Sequence, residues 1–252
     1  MTPRFGTAAL AVAFSAVAPA ASAAIISASG DTFVQQNAPT TNFGNSTGFT
    51  SKNDGGGGSS TTDRIGFIRF DLSGSPTPVT TATLLLNITG AGTTQTGGNP
   101  LTFTVLGIPE SLTYGTGPIA LENFVEGDGG TDGAPANELT FGNAPGTSTG
   151  VNGSFVRTSY TNLGTFQSTT ASGPRQFTSA ALVNFLNADT NGVAGFVIVR
   201  DTDDANATGF AARENLTVAG PQIFINQPVP EPGTIGLLGA GAMLALRRRK
   251  RR

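Results

Sequence analysis

Ala82-Thr83-Leu84-Leu85-Leu86-Asn87-Ile88 is seven residues long and nearly all apolar at its centre. A run of that length, bounded by Pro and Thr before it and Thr-Gly after it, fits a strand buried in a sandwich core. Similar short runs recur along the chain: Thr32–Gln35, Ile65–Phe70, Leu101–Leu106, Ser154–Ser159, Gly195–Val199, Phe210–Ala212 and Gln222–Ile225. Gly, Asn, Pro and Ser separate them, as turn residues do. One helix is expected over Ala180–Leu186, capped by Thr178 or Ser179, with Asn187 near its end. Eight or more strands with one short helix give an all-β fold, a jelly-roll-type β-sandwich.

Composition narrows the chemistry. The 252 residues include no Cys and no His. Disulfides, thiolate nucleophiles, zinc thiolates, Ser-His triads and histidine bases are therefore all excluded. Charged residues make up only 12% of the chain, about half the usual share. From Ala24 to Pro230 there are seven basic and fifteen acidic residues. So acidic a body argues against nucleic acid as a partner, because phosphate binding requires clustered cations. No Trp and only two Tyr are present, which leaves few flat rings for stacking on sugars.

The two ends read as addresses. Arg4, the Ala-rich stretch Ala8–Ala18, Pro19 and the small-residue site Ala21-Ser22-Ala23 have the form of a signal peptide over residues 1–23. The mature chain would then begin near Ala24. At the other end, Val229-Pro230-Glu231-Pro232-Gly233 interrupts regular structure, since two prolines fix φ and remove donors. Thirteen uncharged residues, Thr234–Leu246, follow and are read as a short hydrophobic transmembrane helix, with the basic run Arg247–Arg252 after it. This order resembles the PEP-CTERM sorting signal over residues 228–252, with Val229, Pro230, Glu231 and Pro232 as its motif. The resemblance implies recognition by an exosortase, transient anchoring in the inner membrane, cleavage near the motif, and delivery to the cell surface or extracellular matrix.

A second resemblance covers the body, residues 24–227. Asp31-Thr32-Phe33-Val34, Asn42-Phe43-Gly44 and Arg64-Ile65-Gly66-Phe67-Ile68-Arg69-Phe70-Asp71-Leu72 are followed in order by Leu139-Thr140-Phe141-Gly142 and Phe210-Ala211-Ala212-Arg213-Glu214. The series is similar to the DNRLRE-type domain, related to a family of carbohydrate-binding modules. It implies a β-sandwich that associates with glycans.

Three groups of residues are candidate sites. Arg69 and Asp71 lie two apart and share one face of a strand, where they pair with each other or meet a ligand. Arg213 is the third ligand-binding candidate, and Arg69 could hold an acidic sugar's carboxylate bidentately. Asp201, Asp203 and Asp204 crowd three carboxylates into one loop, a pattern suited to calcium, which takes six to eight oxygen ligands. Carboxylate pairs such as Glu122/Glu126 are the remaining acid/base candidates, but Asp and Glu in Gly-rich loops usually serve turns. The expectation is a non-enzymatic, exported protein of the extracellular polysaccharide or biofilm matrix. A purely structural sandwich and a carboxylate-based polysaccharide-cleaving enzyme are the alternatives.

Overall fold

The computed structural model describes residues 22–53, 62–90, 100–115, 119–127, 138–147, 155–168, 172–203 and 206–227. The expected signal peptide, apart from its last two residues, and the whole C-terminal segment lie outside these. Among the described residues no helix is long and apolar enough to cross a membrane. In chain order the elements are β1 Ala24–Gln35, β2 Gly48–Ser51, β3 Arg64–Asp71, β4 Ala82–Ile88, β5 Leu101–Ile108, β6 Thr113–Tyr114, β7 Ile119–Ala120, a 3-10 turn Leu121–Asn123, β8 Thr161–Ser168, β9 Gly173–Phe177, α1 Ala180–Ala188, β10 Val193–Arg200, β11 Thr208–Ala211 and β12 Gln222–Ile225.

The apolar run Ala82–Ile88 is β4. It pairs antiparallel with β12 on one side and β9 on the other, and meets β11 at Ile88. β11 carries β2, and β12 carries the first residues of β1. The second sheet runs β1-β3-β10-β5-β8, all antiparallel. β1 therefore belongs to both sheets. Its register shifts between Ala28 and Gly30, and such a bulge redirects a strand.

The sheets face each other across one core. Leu84, Leu86, Ile88, Phe210, Ile223 and Ile225 come from the first sheet, and Ile68, Phe70, Phe103, Val105, Phe196 and Ile198 from the second. Phe103 meets Phe210 edge-on across the gap, with ring centroids 5.6 Å apart. α1 packs beside this core through Leu182 and Leu186, and Ser179 Oγ accepts the Leu182 amide at 2.9 Å. Gly107 allows this approach, because a Cβ there would lie 2.6 Å from the Phe185 ring.

A second core lies on the other face of the second sheet. Val34, Ile65, Phe67, Leu106, Val197 and Val199 point away from the sandwich and are covered by Tyr114, Leu121, Phe124, Leu139, Phe141 and Tyr160. The connection between β5 and β8 thus forms a third layer. Burial on both faces explains why Ala194–Val199 is a continuous apolar run without alternation. Among the described residues, the outer face of the first sheet is not covered in this way. There Ile25, Phe224 and Thr83 form one row, and Ser27, Gln222, Leu85 and Gln176 another, all uncharged.

Two expected elements require correction. Residues 155–159 of the expected strand Ser154–Ser159 are turn and coil, and Ser154 lies outside the described residues. Phe155 and Tyr160 are drawn into the second core instead, and the Val156 amide donates to the Gly146 carbonyl at 2.7 Å. The strand begins at Thr161. Its period is broken by the register shift opposite Val105 and Leu106, with Gly164 at a φ of 127°, so buried Leu163 and Phe166 stand three apart and do not alternate. The strand at Thr32–Gln35 starts earlier, at Ala24. β2 and β9 are short and rich in Gly and polar residues, and carry little apolar signal.

Phe196 is fully buried between Phe70 and Phe185 at 5.6 and 5.5 Å. Phe196→Ala is expected to cost about 3–5 kcal/mol in denaturant unfolding. A loss below about 1 kcal/mol would contradict this packing.

Candidate functional site

Among the described residues, the third layer stops short of the end of the second sheet that lies beside Lys52. A groove of about 150 Å³ opens there, with Ile65, Val199 and Phe141 as apolar lining and Lys52, Asn53, Asp63, Phe155, Arg157 and Arg200 around it. Each side chain is placed by the fold. Lys52 continues β2 and bridges to Arg64 at the start of β3. Lys52 Nζ donates to Thr62 Oγ1 at 2.5 Å. Phe155 packs on Tyr160 at 5.2 Å between centroids, and the Tyr160 hydroxyl donates to the Pro145 carbonyl. Burial raises that phenol's pKa, so it stays protonated as a donor.

Arg157 and Asp201 face each other at 2.5 Å, and Thr104 Oγ1 donates to the second Asp201 oxygen at 2.7 Å. Arg200 is fully buried and spans two loops, donating to the carbonyls of Asn206 and Asn53. It supports the wall of the groove, while Arg157 is one-third exposed at its mouth. Three of the seven basic residues between Ala24 and Pro230 therefore meet in this one groove. An apolar floor with a few convergent polar groups is the usual form of a ligand site.

The sequence-derived candidates are distributed differently. Arg69 and Asp71 do share a strand face, but the Arg69 guanidinium turns to the third layer. It donates to the Phe124 carbonyl at 2.9 Å, to Ser29 Oγ at 3.2 Å and to the Ser29 carbonyl at 3.3 Å, and its carbon lies 5.6 Å from the Phe124 centroid. Asp71 accepts the Ser73 amide at 2.9 Å in a turn. Hydrogen bonds from Ser73 hold its carboxyl below the usual range, and Arg69 adds a smaller effect.

Arg213 joins a different group. Its Nη2 meets Glu126 at 2.6 Å and Glu214 at 2.8 Å, while its amide donates to Asp31 Oδ2 at 2.7 Å. Glu122, by contrast, accepts from Asn191, so Glu122 and Glu126 serve separate places. In the expected calcium loop, Asp201 is committed to Arg157 and Thr104, and Asp204 lies outside the described residues. The sorting residues Val229, Pro230, Glu231 and Pro232 also lie outside them.

A carbohydrate-binding module family 96 domain is found at residues 22–110. The PEP-CTERM protein-sorting motif is found at residues 228–252. No curated protein matches the chain. The two findings point to carbohydrate binding and to an exported protein sorted by an exosortase. The family 96 region comprises β1 to β5. Its strands β3 and β5 never touch as neighbours, because β10 lies between them. Only Lys52, Asn53, Asp63 and Ile65 of the groove fall inside the region; Phe141, Phe155, Arg157, Val199 and Arg200 come from the remainder of the body.

Sequence reasoning did not single out Asn53, Asp63, Phe155 or Arg157. The scarcity of cations was the one signal available, since each basic residue of so acidic a body needs a reason. The Arg69 contacts generate a direct expectation. Arg69→Ala should lower stability by about 1.5–3 kcal/mol, the range for hydrogen bonds from a charged donor, and leave glycan retention unchanged. Chemical denaturation and an affinity gel measure the two separately; lost retention at unchanged stability would instead make Arg69 a ligand contact.

Proposed function

We propose that this chain is a non-catalytic protein of the extracellular polysaccharide matrix, whose sandwich holds a glycan chain in the groove between Lys52, Asp63, Phe155 and Arg157. The observation that carries the reading is the convergence of cationic, amide and carboxylate groups beside an aromatic ring over an apolar floor. Sugar hydroxyls take up such donors and acceptors in pairs, and the ring covers a C–H face of the sugar. A volume of about 150 Å³ is small beside sites for drug-sized ligands and suits one residue of an extended chain. The binding module runs over residues 24–227, since β10, β11 and β12 complete both sheets and Arg157 completes the groove.

The C-terminal signal acts as a temporary handle. The exosortase removes it near Pro230-Glu231-Pro232 after the apolar segment has held the chain at the inner membrane. The body is then released to, or attached at, the surface.

Two measurements test this reading. Arg157→Ala should lose retention on a gel of the producer's own polysaccharide. Its melting should change little, because a partly exposed ion pair contributes about 0–1 kcal/mol. Equal retention of variant and parent would remove the groove from the account. Mass spectrometry of the surface protein should find a C-terminus near Pro230. An intact Arg247–Arg252 tail would contradict the sorting step.

A further inference from the structure

The Arg213 network lies at the open edge where β1 leaves one sheet for the other. Asp31, Glu126 and Glu214 each bring a carboxylate oxygen to within 4.8 Å of the others. One cation, Arg213, reaches two of them. Asp31 is 1% exposed; it accepts a hydrogen bond from the Arg213 amide, and the Arg213 charge also favours its ionised form. The Asp31 amide in turn donates to Glu126 Oε1 at 3.0 Å. Glu214 Oε2 is buried without a hydrogen-bond partner. The network thus ties three segments together: β1, the turn after Leu121–Asn123, and the chain leaving β11.

Three carboxylates this close, largely out of water, with one guanidinium among them, cannot all ionise at low cost. We propose that the network is a proton-operated latch: it closes the sandwich edge when the carboxylates share a proton, and it loosens when that proton leaves. The other charged groups facing it are Arg69 of β3, which favours ionisation of Glu126, and Glu138, whose carboxyl adjoins Gly127. Burial, the largest effect, raises Asp31 to about 7, and the Arg213 amide opposes it. Burial also raises Glu126, against the Asp31 amide that lowers it.

In the unfolded chain Asp31 ionises near 3.8, and in the folded chain near 7. Between those values the folded state binds the extra proton. The stability it contributes is complete below the unfolded pKa and is lost as pH rises through about 7.

Melting temperature followed across this window, in the parent and in Asp31→Asn, tests the latch. The parent should lose several degrees as pH rises from about 5 to about 8. Asp31→Asn, neutral at every pH, should lose much less. A parent whose melting is flat or rises over the window overturns the proposal, as does an equal fall in Asp31→Asn. If Asp31→Asn does not fold, carbon-13 titration of the parent's side-chain carboxyls decides: a buried Asp titrating above about 6 supports the latch, and one near 4 overturns it.

Discussion

β1 is the strand on which the rest of this structure depends, because its two halves belong to different sheets. Ala24–Ser27 pair with β12, and Ala28–Gln35 pair with β3, with the register broken at Ala28/Gly30. This crossover fixes how one sheet lies over the other. It also leaves the outward edge of β1 in need of partners, since a free strand edge exposes unpaired backbone groups. Glu126 meets the Asp31 amide at that edge, and Arg69 meets Ser29 just beside it. Two residues read from the sequence as possible ligand contacts, Arg69 and Arg213, are both gathered here.

A second constraint follows from covering the second sheet on both faces. The connection from β5 to β8 supplies Tyr114, Leu121, Phe124, Leu139 and Phe141 to the outer core, and a glycan cannot lie across a sheet face that is already filled. Among the described residues, the surfaces left to it include the groove where the third layer stops and the uncharged outer face of the first sheet. The groove gathers Lys52, Arg157 and Arg200 in a body that has few cations. The family 96 match and the groove are also complementary in extent. The matched residues provide one wall, and the later part of the chain provides Phe155 and Arg157 on the other.

Much of the fold was legible in the sequence, for physical reasons. Strands buried on both faces, such as β10, or facing the main core, such as β4, must be apolar and declare themselves. α1 declares itself through a cap, Ser179, and an apolar stripe. β8 was not legible, because a bulge moves Leu163 and Phe166 out of alternation, and Phe155 resembles a strand residue although it serves the outer core. The site was less legible still. Pairing of Arg69 with Asp71 was expected from their spacing, but a guanidinium on a covered face finds nearer acceptors in Ser29 and Phe124. The Asp31/Glu126/Glu214 cluster joins residues far apart in the chain, and no local spacing encodes it.

Chemical-shift mapping with fragments of the producer's own polysaccharide tests the central claim most directly. Binding in the groove predicts perturbations concentrated at Lys52, Asn53, Asp63 and Phe155–Arg157. Perturbations concentrated instead at Ile25, Leu85 and Phe224 on the open sheet face, or no perturbation at all, would contradict it.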